Sequence, residues 1–320
     1  ALKIALGYQQ HVGNPEKKIL IGRNRAYHGV GFGGISLGGL PYNKTHFSLL
    51  NNVDHICDTH NPEKNAFSKG QPDWGKELAD DLLKVIEKHG ADQIAAFITE
   101  PVAGSTGVLI PPKGYLDRIR QICTEYNILL IFDEVITGFG RLGDPFAAQH
   151  FNVEPDIITC AKGLTSGTVP MGAVIVKKEI YDAFQQRDPK VIDLFHGYTY
   201  SAHPLASAAM IAALDVYSND GLFKHANTLS PYWEEKCHSL KGTDHIIDIR
   251  NLGLVAGIEM APRDEKPGTR GYDVFTDAFH NHNLLIRITG DTIALSPPLI
   301  AEKEHIDIII ETLRTIIPSH

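Results

Sequence analysis

The chain has 320 residues, of which 43% are hydrophobic and 21% are charged, and its formal net charge is −8 at pH 7. The length and apolar content predict a globular protein with a sizeable core and two domains, and the acidic balance argues against nucleic acid or an anionic membrane as a partner. No run approaches the roughly 20 apolar residues of a membrane span, and the four cysteines include no CxxC pair, so we expect free thiols and a cytoplasmic location.

The first residues already have helical spacing. Apolar side chains stand at Leu2, Ile4, Ala5 and Leu6, yet no methionine and no N-cap residue precede them. Because a helix normally starts after a capping residue, we expect that the chain begins inside a helix and that an upstream N-terminal segment is missing.

Short apolar runs then alternate with segments of 3.6-residue periodicity, which predicts an α/β fold with a mostly parallel sheet. Amphipathic helices are expected over residues 74–90 and 113–127. Four apolar runs are expected to form strands, namely "IAAFITE" (94–100), "ILLIFDE" (128–134), "DIITCAK" (156–162) and "GAVIVK" (172–177).

The pattern changes after "GYTYSAHP" (197–204), where a long apolar helix is predicted from Pro204, a favourable first-turn residue. We therefore place a domain boundary near Ala206, with a large domain over residues 1–206 and a smaller C-terminal α+β domain over residues 207–320. The smaller domain is expected to contain short strands over residues 245–250, 254–260, 284–289 and 292–297, and helices over residues 272–281 and 302–317.

Three successive predicted strands end in a charged residue: Glu100, Asp133 and Lys162. Ligands of open parallel sheets bind outside the carboxyl ends of the strands. If these strands are neighbours, two acids and a lysine meet at the mouth of the sheet. One charge there would be unremarkable, whereas three in succession indicate a site.

A lysine in this position has a specific chemical use. Its amine forms a Schiff base with an aldehyde cofactor, of which pyridoxal phosphate is the main example. That cofactor needs a carboxylate against its pyridine nitrogen, because protonation of the nitrogen turns the ring into an electron sink. Asp133 is a residue of the right type, and a paired aspartate stays ionised despite burial.

Six motifs together resemble the class III aminotransferases. In chain order they are "YHG" (27–29), "EPVAGSTGV" (100–108), "FDEVITGFGR" (132–141), "PDIITCAKGLTSG" (155–167), "GYTYSAHP" (197–204) and "LLIRITGDTIALSPPL" (284–299). The resemblance covers the whole chain and is closest to the ω-amino acid:pyruvate (β-alanine:pyruvate) branch. It implies a fold type I transferase that uses pyridoxal 5'-phosphate to move an amino group from an ω-amino acid such as β-alanine, or from another primary amine, to pyruvate, giving alanine.

The resemblance also implies roles for individual residues. Lys162 would bind the cofactor covalently and shuttle the proton during the reaction, and Asp133 would pair with the pyridine nitrogen. Tyr27 and Val135 would pack on opposite faces of the ring, and His28 would shape the same wall as Tyr27.

Three further residues complete the implied set. Glu100 is grouped with the cofactor-binding residues. Thr199 would reach the cofactor phosphate of a neighbouring subunit, which implies a homodimer or a homotetramer. Arg287 would hold the substrate carboxylate through a bidentate pair.

Two departures from the family pattern favour pyruvate as the amino acceptor. By this resemblance, family members that use 2-oxoglutarate have a glutamate where this chain has Ser105, and a glutamine where it has Ile136. An aminotransferase acting on 4-aminobutyrate or diamines, with pyruvate or 2-oxoglutarate, is the alternative. The amides that bind the cofactor phosphate in the family would lie upstream of Ala1, so they and part of the substrate pocket are not assigned.

Structural roles are the alternative for several of these residues. Taken alone, Lys162 would more often be a solvated loop lysine, Glu100 a cap of the next turn and Arg287 an ion-pair partner. Tyr27 and Tyr198 would be core aromatics with satisfied hydroxyl groups. The combination of a lysine with a partner carboxylate favours the catalytic interpretation.

Other activities have weaker support. "GVGFGG" (29–34) satisfies the G-x-G-x-x-G dinucleotide motif, but no strand runs directly into it, and too many helix-breaking residues follow for a helix to be expected. The sixteen histidines include no HExxH motif, so no metal site is predicted. A nicotinamide-dependent oxidoreductase and a non-catalytic scaffold are the alternatives from other classes.

Overall fold

The structure is a computed structural model that describes residues 1–185, 190, 192–264 and 266–320. Its helices are α1 (Leu2–His11), α2 (Phe32–Leu37), α3 (Pro62–Asn65), α4 (Asp81–His89), α5 (Tyr115–Glu125), α6 (Ala147–His150), α7 (Lys178–Phe184), α8 (Pro204–Asn219), α9 (Leu222–His238), α10 (Thr269–His282) and α11 (Lys303–Ile316). Its strands are β1 (Ile19–Arg23), β2 (Val53–Ile56), β3 (Ile94–Thr99), β4 (Leu129–Asp133), β5 (Ile157–Cys160), β6 (Ala173–Val176), β7 (Ile246–Leu252), β8 (Val255–Met260), β9 (Arg287–Thr289) and β10 (Thr292–Leu295).

The first sheet has the strand order β2-β1-β3-β4-β5-β6. Neighbouring strands run parallel except β5 and β6, which are antiparallel. Every residue of β3 and β4 is buried, as is typical of central strands covered on both faces. Helices α4 and α5 pack on one face of the sheet, and α1 and α7 pack on the other.

Helix α4 illustrates why these segments fold as they do. Leu82, Val85 and Ile86 recur with helical spacing and are buried against the sheet. Burial of each such side chain contributes on the order of 2 kcal/mol. The helix ends at Gly90, whose φ of +84° is strained for a residue with a Cβ atom.

The second sheet is antiparallel throughout, with the order β7-β8-β10-β9. Helices α9, α10 and α11 bury an apolar core against it, and Trp233 of α9 is fully buried there. Helix α8 begins with Pro204 after the capping side chain of His203 and lies between the two sheets in the chain. The predicted boundary at Ala206 falls in the first turn of α8, and the division into two domains stays a prediction.

Most predicted elements are confirmed. The expected helices correspond to α5, α8, α10 and α11, and to α4 preceded by a 3₁₀ helix over Lys76–Asp80. The expected strands correspond to β3 through β10. The sequence analysis did not predict β1, β2, α3, α6, α7 or α9. The expectation that no helix opens from the glycine-rich motif is wrong, because the six-residue helix α2 starts at Phe32 within the motif and ends before Gly38.

Within the part of the chain that the structure describes, no helix combines the length and apolar character needed to cross a membrane.

Candidate active site

Glu100, Asp133 and Lys162 lie together at the carboxyl edge of the first sheet. The strands that precede them, β3, β4 and β5, are direct neighbours, as the sequence required. The three residues border a cavity of about 330 Å³, which we call the Asp133 cavity. It is also lined by Ala1, Leu2, Tyr27, His28, Gly29, Ile98, Ser105, Val135, Ile136 and Thr159.

Asp133 is held in a fixed position by two hydrogen bonds. Its Oδ2 lies 2.8 Å from Nδ1 of His28, and its Oδ1 accepts the backbone N–H of Val135 at 3.2 Å. The side chains of His28 and Asp133 are only 2% and 10% exposed. Nε2 of His28 is buried and has no hydrogen-bond partner among the described residues. His28 therefore does more than shape a wall, because it orients the carboxylate.

Glu100 is buried and fixes the backbone of a distant segment. Its Oε1 accepts the backbone N–H of Tyr27 at 2.9 Å, so it does not cap the turn that follows β3. Burial raises the pKa of Glu100, while His28 lowers it and Asp133 raises it further. The contact holds Tyr27 at the wall of the Asp133 cavity.

Lys162 stands where two cavities meet. Its φ of +47° lies in the left-handed region, which residues other than glycine adopt rarely and often at functional sites. Partial burial away from water lowers the pKa of Lys162, and the positive charge of Arg287 lowers it further. The negative charges of Asp133 and Glu100 raise it. A lowered pKa increases the fraction of uncharged amine, which is the form that acts as nucleophile or base.

The second of these cavities has a volume of about 890 Å³ and shares Val135, Ile136 and Lys162 with the first. Arg287, the first residue of β9, is exposed to it, and we call it the Arg287 cavity. Among the described residues, no hydrogen bond or ion pair engages the guanidinium of Arg287. The ion-pair alternative is therefore not supported, and the guanidinium is available to a carboxylate.

Glu134, the second acid of the "FDE" motif, has a structural role. Its carboxylate accepts the hydroxyl of Thr137 at 2.9 Å and the backbone N–H groups of Ala147 and Ala148 at 2.6 and 2.8 Å. These bonds satisfy the first turn of α6 and fix the loop after β4. The two adjacent acids thus have different roles: Asp133 lines the Asp133 cavity, whereas Glu134 stabilises the loop.

Thr199 does not line either cavity of its own chain. It lies in an exposed turn, and the neighbouring Tyr198 is 80% exposed, so the core-aromatic alternative for Tyr198 is wrong. The role of Thr199 toward a neighbouring subunit stays a prediction.

Several residues that line the Asp133 cavity were not identified as site residues from the sequence, among them Thr159 and Ile98. Thr159 lies on β5 in register with Asp133, and a polar residue within an apolar strand was the available signal. Ile98 on β3 gave no signal, because a buried isoleucine at a cavity wall has the same sequence pattern as one in the core.

One group of described residues has the spacing of metal ligands: His60, Asp248 and Glu259, with ligand atoms within 4.8 Å of one another. Nη1 of Arg250 donates to both carboxylates of this group. The guanidinium places one positive charge between the two acids. The group is an ion-pair cluster, and it borders neither of the two cavities.

The residues of the Asp133 cavity fit pyridoxal phosphate. An oriented carboxylate and an amine of lowered pKa border the same space, and Nε2 of His28 is a buried polar atom still without a partner. Tyr27 and Val135 supply the apolar and aromatic surface that a flat ring requires. A lysine and a carboxylate placed in this way are what a pyridoxal-phosphate enzyme needs.

The chain belongs to the class-III aminotransferases, whose family model matches residues 1–317. It is therefore an enzyme that depends on pyridoxal phosphate, and the predicted family, cofactor and enzyme class are confirmed. The nicotinamide-dependent alternative is wrong. In the structure, β1 ends at Arg23, six residues before Gly29, so no strand leads directly into the glycine-rich motif.

Curated relatives are named as aminotransferases. The chain is 58% identical over 318 residues to an omega-aminotransferase of Caulobacter vibrioides, covering 99% of this chain and 72% of that protein. It is 47% identical over 310 residues to a beta-alanine–pyruvate aminotransferase of Pseudomonas aeruginosa, covering 96% and 69%. Gamma-aminobutyrate transaminase 1 of Oryza sativa is more distant, at 36% identity.

Solved structures confirm the predicted fold class. The omega transaminase of Pseudomonas jessenii in complex with PMP has a TM-score of 0.89 and 30% sequence identity, covering 100% of this chain and 74% of that one. A structure described as a transaminase with L-ala has a TM-score of 0.91 at 32% identity, covering 99% and 76%. The mostly parallel sheet with a second antiparallel sheet is thus the α/β fold type I of pyridoxal-phosphate transferases.

Proposed function

We propose that this aminotransferase moves the amino group of an ω-amino acid such as β-alanine to pyruvate, giving alanine. The observation that carries the proposal is that Lys162 joins two cavities, one with the oriented carboxylate of Asp133 and one with the guanidinium of Arg287, which has no ion-pair partner among the described residues. The name of the Pseudomonas aeruginosa relative supports the same donor and acceptor, and that of the Caulobacter vibrioides relative supports an ω-aminotransferase.

Lys162 and Asp133 are proposed to perform the proton chemistry. Bound pyridoxal phosphate supplies an aldehyde group and a pyridine ring that withdraws electrons. The carboxylate of Asp133, oriented by His28, holds a proton at the ring nitrogen. Nζ of Lys162 would take the proton from the substrate carbon that carries the amino group and deliver it to the former aldehyde carbon of the cofactor, so that the amine stays on the cofactor; the second half-reaction, with pyruvate, would run the same transfer in reverse.

The walls of the Asp133 cavity are proposed to position the cofactor. Tyr27 and Val135 pack against opposite faces of the ring. Glu100 contributes indirectly, since its hydrogen bond to the backbone of Tyr27 fixes that wall. His28 acts mainly through Asp133.

Arg287 is proposed to bind the carboxylate of the amino donor and of pyruvate. Its guanidinium has no partner within the described residues, and its positive charge lies close enough to lower the pKa of Lys162. A substrate with an amine at one end and a carboxylate at the other can therefore contact both groups. This geometry supports an ω-amino acid over a simple amine.

The acceptor is proposed to be pyruvate. Ser105 and Ile136, which border the Asp133 cavity, place no acid and no amide beside the reacting groups. With β-alanine as donor, we expect alanine to form from pyruvate roughly tenfold faster than glutamate forms from 2-oxoglutarate. Product amino acids separated by chromatography measure both rates. A faster reaction with 2-oxoglutarate would contradict the choice of acceptor, and a preference for 4-aminobutyrate or a diamine would change the donor.

The active unit is proposed to be a homodimer or a homotetramer. Large apolar side chains are exposed near Thr199, including Phe195 at 88%, Tyr198 at 80% and Tyr200 at 79%. Such a surface favours association, and it would bring Thr199 to the cofactor phosphate of the neighbouring subunit. Sedimentation equilibrium measures the assembly, and a monomer that is fully active would contradict the proposal.

We also propose that the enzyme works in the cytoplasm, which its four free cysteines support.

A further inference from the structure

Strand β9, which begins with Arg287, lies at the edge of the second sheet. It has three residues and, of the strands that the structure describes, pairs only with β10, with Thr289 opposite Thr292. One neighbouring strand constrains such a short edge strand on one side only. Contacts that the side chains of β9 make outside its own sheet therefore help to fix where the guanidinium of Arg287 stands relative to Lys162.

Thr289 makes such a contact. Its Oγ1 donates to the backbone carbonyl of Ser105 at 2.8 Å, across 184 residues of sequence. Within the described part of the chain, this is the hydrogen bond that links β9 to a loop of the first sheet. Asp291 also anchors this region, but its carboxylate binds Gly268 and Gly271 of the α10 end, on the side of the second sheet.

The loop that receives this hydrogen bond is rigid and belongs to the site. Ser105 is 4% exposed and lines the Asp133 cavity. Ala103 and Leu109 form a pair of backbone hydrogen bonds across the loop, and the hydroxyl of Thr106 donates to the carbonyl of Arg25 at 2.6 Å. Thr289 is therefore hydrogen-bonded to a loop whose position is fixed by several other hydrogen bonds.

Arg287 and Thr289 are two residues apart on a strand, so their side chains leave the same face. The anchor at Thr289 thus acts on the face that presents Arg287 to the cavity shared with Lys162. We propose that Thr289 is a positioning residue for substrate carboxylates: it fixes the span between the guanidinium of Arg287 and the amine of Lys162. This inference rests on the proposed role of Arg287 in carboxylate binding.

The test compares Thr289→Val, which removes the hydroxyl, with Thr289→Ser, which keeps it. The holoenzyme is mixed with the donor alone, and the decay of the visible absorbance of the cofactor gives a saturating rate and a half-saturating concentration. β-Alanine is compared with propylamine, in which a methyl group replaces the carboxylate. Calorimetry with propionate measures carboxylate binding without any reaction.

For Thr289→Val, loss of one hydrogen bond is expected to raise the half-saturating concentration of β-alanine and the Kd of propionate roughly fivefold. The saturating rate and the values for propylamine are expected to stay unchanged, and Thr289→Ser is expected to restore the wild-type values. Thr276→Val is a matched control, because the hydroxyl of Thr276 on α10 donates to the local carbonyl of Tyr272, one helical turn away.

Two results would overturn the inference. An equal rise for β-alanine and propylamine in Thr289→Val would mean that Thr289 has only a structural role. The second result would be that Thr289→Val leaves the half-saturating concentration of β-alanine and the Kd of propionate unchanged, while Arg287→Ala selectively weakens the binding of both. Thr289 would then have no positioning role, and the proposed function would stand. If Arg287→Ala weakens β-alanine and propylamine equally, the carboxylate site itself is wrong, and the failure lies with the proposed function.

Discussion

Replacement of Lys162 by alanine is expected to slow transamination by roughly three orders of magnitude or more, because the variant loses the group that transfers the proton. The folded structure should survive, since Lys162 is exposed to the two cavities and contributes little to the core. The measurement is kcat for β-alanine and pyruvate, with the melting temperature as a check on folding.

A second measurement makes this prediction specific to one amine. After borohydride treatment, mass spectrometry should find the cofactor attached to the peptide that contains Lys162 in the wild type, and to no peptide in Lys162→Ala. Lys84→Ala is the control, since the side chain of Lys84 is 79% exposed on α4, where it pairs with Asp81. Cofactor attached to another lysine, or turnover that survives in Lys162→Ala, would contradict the assignment.

Replacement of Asp133 by asparagine is expected to lower kcat roughly 10²–10³-fold. Asparagine keeps the shape of the side chain and can still bond His28 and the N–H of Val135, but it lacks the negative charge. Without that charge the ring nitrogen of the cofactor is not held in its protonated form. The proton on the substrate carbon that carries the amino group then becomes harder to remove. Steady-state kinetics and the pH dependence of the cofactor spectrum both report this loss.

Glu134→Gln is the matched control for Asp133→Asn, because it neutralises the adjacent acid. Glu134 accepts three hydrogen bonds in the loop after β4 and does not border the Asp133 cavity. The expected result is a loss of stability of about 1–3 kcal/mol with little change in kcat. If both variants lost activity equally, the separation of the two acids would be wrong.

The charged end of each central strand could be predicted because the pattern is local. Apolar runs that end at Glu100, Asp133 and Lys162 are visible in the sequence, and parallel strands bring their carboxyl ends to one edge. The structure places β3, β4 and β5 side by side, as this reasoning required.

Contacts between distant segments could not be predicted in this way. The pair of His28 and Asp133 spans 105 residues, and that of Thr289 and Ser105 spans 184. Neither has a sequence spacing that a helix or a strand would impose. Hydrogen bonds of this kind follow from the packing of the whole chain.

The missed elements have a different cause. Strand β2 lies at the edge of the first sheet and contains Asp54 and His55, so it lacks the apolar run of a central strand. Helix α9 contains Pro231, which lacks a backbone N–H and disfavours a helix interior. In both cases tertiary contacts outweigh the local preference of the sequence.

The most direct test of the central claim uses the visible absorbance of the holoenzyme in two steps. Addition of β-alanine alone should abolish the absorbance of the lysine-bound cofactor. Later addition of pyruvate should restore this absorbance, and one molecule of alanine should appear for each cofactor restored. This result would show that one site accepts the amine and passes it on. A holoenzyme whose absorbance responds to neither β-alanine nor pyruvate would contradict the assignment of this donor and acceptor to the site formed by Lys162, Asp133 and Arg287.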